Sequence, residues 1–347
     1  MTETNDLNIP DQMRSAQWTA VPIESSLKVN PATPLPKSAR SLPKNSALVK
    51  ISYASINPVD YKIAEFGPGR YAAMGKGPWI PASDYAGTVI NTNLPHIKPG
   101  DLVAGSIVIP NYGALAEYAV IEGADNVAKL SEGVNLKDAA SLGIAGQTAM
   151  QCIVPNVKEG GGSKVIINGA SGGTGTFGIQ IAKILGCTVT AICSGANVEL
   201  CKSLGADKVI DYKSVNVIEE LKKDGAQYDL LVDNVAMGGP IFVQSHHYLR
   251  DTGLYVAIAG SPNLSSLIGM AKILAQPSWL GGSRRKGTFI ARKPGNEEFL
   301  RMASWIKDGK LKPHIEKVYA LEEAGDAFKA LKLGRTRGKL VIRVSEK

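Results

Sequence analysis

The stretch that most constrains this chain runs from Lys164 to Leu185, KVIINGASGGTGTFGIQIAKIL. A short apolar run leads into a glycine-rich turn and then into helical spacing, and Gly173, Gly175 and Gly178 fit G-x-G-x-x-G. In that pattern glycine permits the tight turn, lets backbone approach a pyrophosphate, and lets helix and strand pack closely. Phe177, Ile181 and Ile184 share one face of the helix, so its N-terminus points at whatever sits above the turn. A dinucleotide phosphate is the ligand this predicts. The same residues also read as G-x-S-x-G, Gly169-Ala170-Ser171-Gly172-Gly173, the nucleophile elbow of α/β hydrolases. That reading needs an acid and then a histidine downstream. The later histidines are His246, His247 and His314, and His314 stands in the polar run KLKPHIEK. Ser171 is therefore read as a phosphate ligand.

The chain of 347 residues, 44% hydrophobic and 20% charged, has room for two globular domains. No apolar run reaches the roughly 18 residues of a membrane helix, and the acidic, polar opening MTETNDLNIPDQ carries no signal pattern. The expectation is a cytoplasmic protein with no membrane partner. Lys and Arg are spread along the chain except at Arg284-Arg285-Lys286. The net charge of +8 thus reads as solvated surface plus phosphate-binding groups, and a nucleic-acid partner is not expected. Cys152, Cys187, Cys193 and Cys201 form no C-x-x-C pair and read as small buried hydrophobes.

Residues 1–12 read as a loose tail. From Met13, short β-prone runs are separated by turn signals: RSAQWTAV, ALVKISYASI, SDYAGTVI, GDLVAGSI and GALAEYAVI, with the proline-rich segment from Pro31 to Pro43 as a loop. Then LKDAASLGIAGQTAMQCIV reads as a helix leading into the glycine stretch. Beyond it VTAIC, NVELCKSLG, KVIDY, NVIEELKKDG, YDLLVDNV, GPIFVQSHHYL and GLYVAIAG alternate strand and helix, with GTFIAR as a sixth strand. Such alternation predicts right-handed βαβ units and a doubly wound parallel sheet, an α/β fold. In NEEFLRMASWIKDGKL, Phe299, Met302, Ala303 and Ile306 recur at helical spacing. That helix, KVYAL, a helix around Phe328, and KLVIRV are expected to pack back on the N-terminal β module.

This order of elements resembles the medium-chain dehydrogenase/reductase superfamily, and within it the zinc-free quinone oxidoreductase branch that includes ζ-crystallin and enoyl reductases. The landmarks are Asn57-Pro58-Val59-Asp60, Ser83-Asp84-Tyr85-Ala86-Gly87-Thr88-Val89, Gly100-Asp101-Leu102-Val103, Gly113-Ala114-Leu115-Ala116-Glu117-Tyr118, Gly146-Gln147-Thr148-Ala149, Gly169 to Gly175, Leu204-Gly205-Ala206-Asp207 and Arg337-Gly338-Lys339-Leu340-Val341-Ile342. The resemblance implies a GroES-like irregular β catalytic domain over residues 1–143 and 293–347. A Rossmann NADP(H)-binding domain with a six-stranded sheet is implied over 144–292. Where zinc-dependent relatives have a catalytic cysteine this chain has Asn57, and where they have His-Glu it has Ser83-Asp84. The lobe of closely spaced cysteines is missing, so no metal is expected.

For the cofactor, backbone N–H groups of Gly172, Gly173, Thr174 and Gly175 and the side chains of Ser171 and Thr174 are expected to meet the pyrophosphate. The strand end Ile192-Cys193-Ser194-Gly195 lacks the carboxylate that NAD-binding versions use on the ribose. NADPH is therefore preferred, although relatives often carry a lysine near Asn197. The resemblance implies Ser194, Tyr212 and Lys339 as contacts of the 2′-phosphate, and Thr148, Asn234 and Gly260 beside the nicotinamide and its ribose. For the reaction it offers Asn57 and Lys62 in NPVDYK and Tyr71 in EFGPGRYAAMGKGPW. Tyr71 reads equally as proton donor or as pocket wall, and Lys62 as charge support or as a surface lysine. Asp60 and Asp84 read as structural.

Two classes of function remain open at this point. One is an NADPH-dependent reductase of quinones or of the C=C of α,β-unsaturated carbonyls, including an enoyl reductase acting in trans on carrier-bound intermediates. The other is a non-enzymatic NADPH-binding protein, crystallin-like or RNA-binding. A homodimer through the sheet edge is the expectation from the resemblance, and residues 261–286 read as a lid or a dimer contact.

Overall fold

The computed structural model describes residues 9–65, 77–108, 113–225, 227–235, 238–258, 264–274 and 283–345. A two-stranded antiparallel ribbon opens the chain, β1 (Gln12–Gln17) with β2 (Lys28–Pro34). There follow β3 (Ser46–Ile56), β4 (Asp84–Thr92), β5 (Leu102–Ser106), β6 (Tyr118–Glu122) and β7 (Ala128–Lys129). The second module contributes β8 (Lys164–Asn168), β9 (Thr188–Cys193), β10 (Lys208–Asp211), β11 (Tyr228–Asp233), β12 (Leu249–Ile258) and β13 (Lys286–Ile290). The chain then returns with β14 (Ile315–Ala320) and β15 (Lys339–Arg343).

β8 to β13 form a six-stranded sheet in the order β10-β9-β8-β11-β12-β13, every pair parallel. Strands of such a sheet are buried on both faces and so read as continuous apolar runs. Alternate residues divide between two cores. Val165, Ile167, Val189, Ala191, Leu230 and Val232 face the core that holds Phe177 and Ile181 of the helix Gly173–Ile184. Ile166, Ile192, Ile210 and Leu231 face the opposite core with Phe242 and Tyr255. The strand order reverses between β8 and β11, which opens a crevice at the carboxyl edge beside the glycine turn.

β15 pairs antiparallel with β3, placing Leu340 opposite Ile56, and β14 lies parallel to β15. Two neighbouring strands of the other sheet therefore come from the far end of the chain. The helix Ala324–Lys332 buries Ala327, Phe328 and Leu331 in the core that also holds Ile51, Val89 and Ile121. Lys332 joins this helix to Glu24 at 2.9 Å and Glu65 at 2.7 Å.

Two details depart from the sequence reading. The expected single helix is two, Leu136–Ala140 and Gly143–Ile153. The break lies where the Ser141 hydroxyl turns back to Asp138 O at 2.6 Å and the Ile144 N–H is taken by Asp84 Oδ1 at 2.9 Å. The proline segment begins as strand β2, which tolerates Pro31 and Pro34 because among the described residues it pairs with β1 alone. The helix Asn296–Lys307 buries Phe299 and Met302 with Ala145 and Ala149 of the helix Gly143–Ile153 in a core that Ala86, Ala104 and Ala128 of the β module also line, and Asn296 Nδ2 donates to Ala124 O, so the helix does pack back on the β module while sharing its apolar face with the parallel sheet. Phe177 is fully buried in that first core. Phe177→Ala is expected to cost about 3–5 kcal/mol, read as a lower urea midpoint than wild type.

Candidate active site at the domain junction

The turn after β8 is built as an anion cradle. The N–H groups of Gly173, Thr174 and Gly175 open the helix Gly173–Ile184 and have no intrahelical acceptor. The first turn carries no acidic side chain, so the positive end of the helix dipole is uncompensated. At Gly175 an added Cβ would lie 2.3 Å from the Gly169 carbonyl, so only glycine lets the turn close. Ser171 faces the same edge. Its Oγ accepts from Asn197 Nδ2 at 2.9 Å, and the same amide reaches Ser194 Oγ at 3.2 Å. Asn197 thus braces the glycine turn against the end of β9, a role that nothing in the sequence pattern announced. No histidine is hydrogen-bonded to the Ser171 hydroxyl among the described residues, and its donor is an amide with no base character.

The end of β9 itself carries no carboxylate, yet the fold brings one beside it. Asp211 on β10 stands opposite Cys193, and its Oδ2 lies 2.6 Å from where a Cβ on Gly195 would be. The Ser214 hydroxyl at 2.5 Å and the Lys213 N–H at 3.0 Å hold the Asp211 carboxyl below the usual range. Next to it Tyr212 is 54% exposed and lines a cavity of about 330 Å³ with Asn168, Ile192, Val215 and Pro240. Across the crevice Asn234 donates from its backbone and from Nδ2 to Asn168 O at 3.2 and 2.8 Å. Its Oδ1 is buried with no hydrogen-bond partner among the described residues, and its Cβ lies close over Gly169. An orphaned acceptor at that place suits a ribose hydroxyl.

The two modules meet through this turn. Gly172 bridges Gly338, and the Gly338 N–H donates to Ser171 O at 2.9 Å. The next residue, Lys339, runs its stem past Gly173, where an added Cβ would be 3.2 Å from its Cδ. The resemblance assigned its ammonium to the 2′-phosphate. In the structure Nζ turns into the β module, 2.5 Å from Asn57 Oδ1, 3.3 Å from Ile56 O and 3.7 Å from Asp84 Oδ2, and the residue is 3% exposed. Burial depresses its basicity while Asp84 and Asp60 oppose that shift.

Asn57 is correspondingly occupied. Its Nδ2 donates to Asp84 Oδ2 at 2.8 Å, and its backbone N–H donates to Asp60 Oδ2 at 2.7 Å, the return half of a capping box at the helix Pro58–Ala64. The Ser83 hydroxyl completes the ring at 3.2 Å from Asp60 Oδ1. Asp60 is fully enclosed, and burial pushes its carboxyl up to about 7. Asp60 and Asp84 are structural, as expected. On the same helix Lys62 is half-buried with its basicity depressed by that burial, and it has no ion pair among the described residues. Thr148, on the helix Gly143–Ile153, is buried with its hydroxyl donating to Ile144 O at 2.6 Å, which leaves its lone pairs as acceptors. Tyr71 and Gly260 lie outside the described residues. Trp79 stacks on Trp18 at 4.3 Å in the core of the β module.

Residues 43–156 match the alcohol dehydrogenase GroES-like domain, and residues 204–342 match the zinc-binding dehydrogenase model. The trans-enoyl reductase pgmF of Aspergillus terreus is 37% identical over 353 residues, covering 97% of this chain and 98% of its own. A chloroplast envelope quinone oxidoreductase homolog of Arabidopsis thaliana is 34% identical over 316 residues, covering 89% of this chain and 91% of its own. The solved quinone oxidoreductase from Coxiella burnetii superposes with a TM-score of 0.82 at 28% identity, covering 96% of this chain and all of that one. The chain belongs to the medium-chain dehydrogenase/reductase superfamily, in its zinc-free branch. It is an oxidoreductase, and the superfamily binds a nicotinamide cofactor, which the glycine turn and the Asn234 acceptor fit.

Zinc, which the second model's description implies, does not fit. At the positions where zinc-dependent members keep Cys and His-Glu stand an amide, a hydroxyl and one carboxylate, and the cation beside them is the Lys339 ammonium. A second positive charge there would have no room and no soft ligand.

Gly175→Ala is expected to weaken binding of the reduced nicotinamide dinucleotide at least tenfold in a fluorescence titration, because the added methyl pries the turn away from Gly169. The buried Asp60 gives a stability signature with a definite sign. The folded state holds a proton that the unfolded chain releases near pH 4, so this group's contribution falls as pH rises from about 4 to 7. Asp60→Asn is expected to gain thermal stability relative to wild type at pH 8 and to lose that advantage at pH 4.

Proposed function

We propose that this oxidoreductase uses NADPH to deliver hydride to a quinone or to the C=C of an α,β-unsaturated carbonyl. The observation that carries this reading is the junction itself, where an amide and an ammonium replace the metal site while the dinucleotide turn beside them is intact. The reduced nicotinamide supplies the hydride. Hydride arrival at the β-carbon, or at a quinone, leaves negative charge on the carbonyl oxygen, and a donor must meet it. Asn57 has one Nδ2 hydrogen beyond the one given to Asp84, and the Lys62 amine on the adjoining helix has no ion pair among the described residues. Tyr71, eleven places short of Ala82 on the same connection, is the proton donor to carbon in this reading. Preference for the 2′-phosphate rests on the Ser194 hydroxyl, whose oxygen accepts from Asn197 and whose hydrogen remains to donate, and on the missing carboxylate on β9, with Tyr212 flanking the cavity that suits adenine.

A second substrate reading has its own support. The relative pgmF is named a trans-enoyl reductase, and it matches this chain from end to end at 37% identity. An enoyl group carried on a thioester, presented by a partner, is the acceptor this reading names.

The test is NADPH oxidation followed at 340 nm against quinones, 2-alkenals and enoyl thioesters, free and carrier-bound. Turnover of at least one acceptor class, with NADPH favoured over NADH, is expected. Binding of NADPH without turnover of any acceptor would sink the reading. Lys62→Ala is expected to lower kcat/KM about tenfold or more with unchanged melting temperature.

A further inference from the structure

The Asn57 amide lies between two groups that cannot exchange roles. An ammonium can only donate, and a carboxylate can only accept. With Lys339 Nζ 2.5 Å from Oδ1 and Asp84 Oδ2 2.8 Å from Nδ2, the amide has one permitted orientation, and a flip would set donor against donor and acceptor against acceptor. Asp84 is itself held from the other side by the Ile144 N–H at 2.9 Å, at the start of the helix that carries Thr148. A Cβ at Gly143 would meet Asp84 Oδ1 at 2.1 Å, so the carboxylate sits directly on the Gly143 backbone, a place that only glycine leaves open. The backbone of Lys339 is registered to the cofactor turn by the adjacent Gly338 N–H to Ser171 O bond and by the Gly172 bridge.

We propose that Lys339 is a positioning residue for hydride transfer: its buried ammonium locks the Asn57 amide with its free N–H available to the reacting carbonyl, and couples that orientation to the seating of the glycine turn. It does so without touching a cofactor phosphate. The inference rests on the reductase reading, since Asn57 serves as the carbonyl donor there.

Two variants test it. Lys339→Met removes the lock but leaves a buried carboxylate uncompensated, and a folding failure is a real outcome for it. Lys339→Met combined with Asp84→Asn removes both charges, keeps an acceptor for Ile144 N–H, and gives Asn57 a partner that accepts either amide orientation. For the double variant kcat is expected to fall at least tenfold with the best acceptor, while the Kd for NADPH, titrated by fluorescence, changes less than threefold. A merely structural role would lower the melting temperature and leave kcat of the folded fraction intact. Wild-type kcat in the double variant overturns the proposal, and so does a tenfold rise in the Kd for NADPH with kcat retained, which is the mark of a phosphate contact. Failure of the parent reading looks different: wild-type protein then turns over no acceptor at all, and the role of Lys339 falls with it.

Discussion

A lysine ammonium that is almost wholly out of water has to be matched by charge and hydrogen bonds, and here that demand organises the meeting of the two modules. Lys339 finds a carboxylate on β4 and an amide oxygen at the end of β3, and its own strand lies between β14 and β3. Those partners come from residues 57 and 84, while the strand that brings the lysine comes from the end of the chain. The preceding glycine is fixed to the dinucleotide turn, and its left-handed φ of 69° with the His314 carbonyl 2.1 Å from a would-be Cβ admits no other residue. One short stretch, Gly338-Lys339, therefore touches the cofactor turn with its backbone and the opposite module with its side chain.

The remaining architecture serves that contact. The parallel sheet presents its carboxyl edge to the crevice, and the reversal of strand order places the glycine turn there. The helices Gly143–Ile153 and Asn296–Lys307 pack together under the junction, with Met302 against Gly146, so the crevice has a rigid floor. Arg292 and Gln147 meet at 2.7 Å, and Gln147 also reaches Gly295 O at 2.7 Å, which pins the connection out of the sheet to that floor.

The fold was largely legible because it rests on local periodicity. β8 to β13 announced themselves as apolar runs separated by helical segments, and the parallel order follows from handedness and burial on both faces. What local pattern misjudged were places where a distant group decides: the break at Ser141 depends on Asp84, and β2 exists as a strand because β1 lies beside it. The helix Asn296–Lys307 showed its apolar face, but apolar spacing says that a face is buried and not against what, and here that face is shared between the β module and the parallel sheet.

For the site, residue types and spacing in the chain were enough to define the pyrophosphate turn, the absence of a carboxylate on β9 and the substitution of zinc-ligand positions, because each is a matter of which chemistry is present within a few residues. Tertiary structure alone decided where charges point. Lys339 has its ammonium against Asn57 and Asp84, Asn197 is the brace between Ser171 and Ser194, and Asp211 stands beside Gly195 from the neighbouring strand. The physical reason is common to all of them. A long or polar side chain goes wherever an unmet donor or acceptor waits, and those waiting groups are brought together only when remote strands have paired.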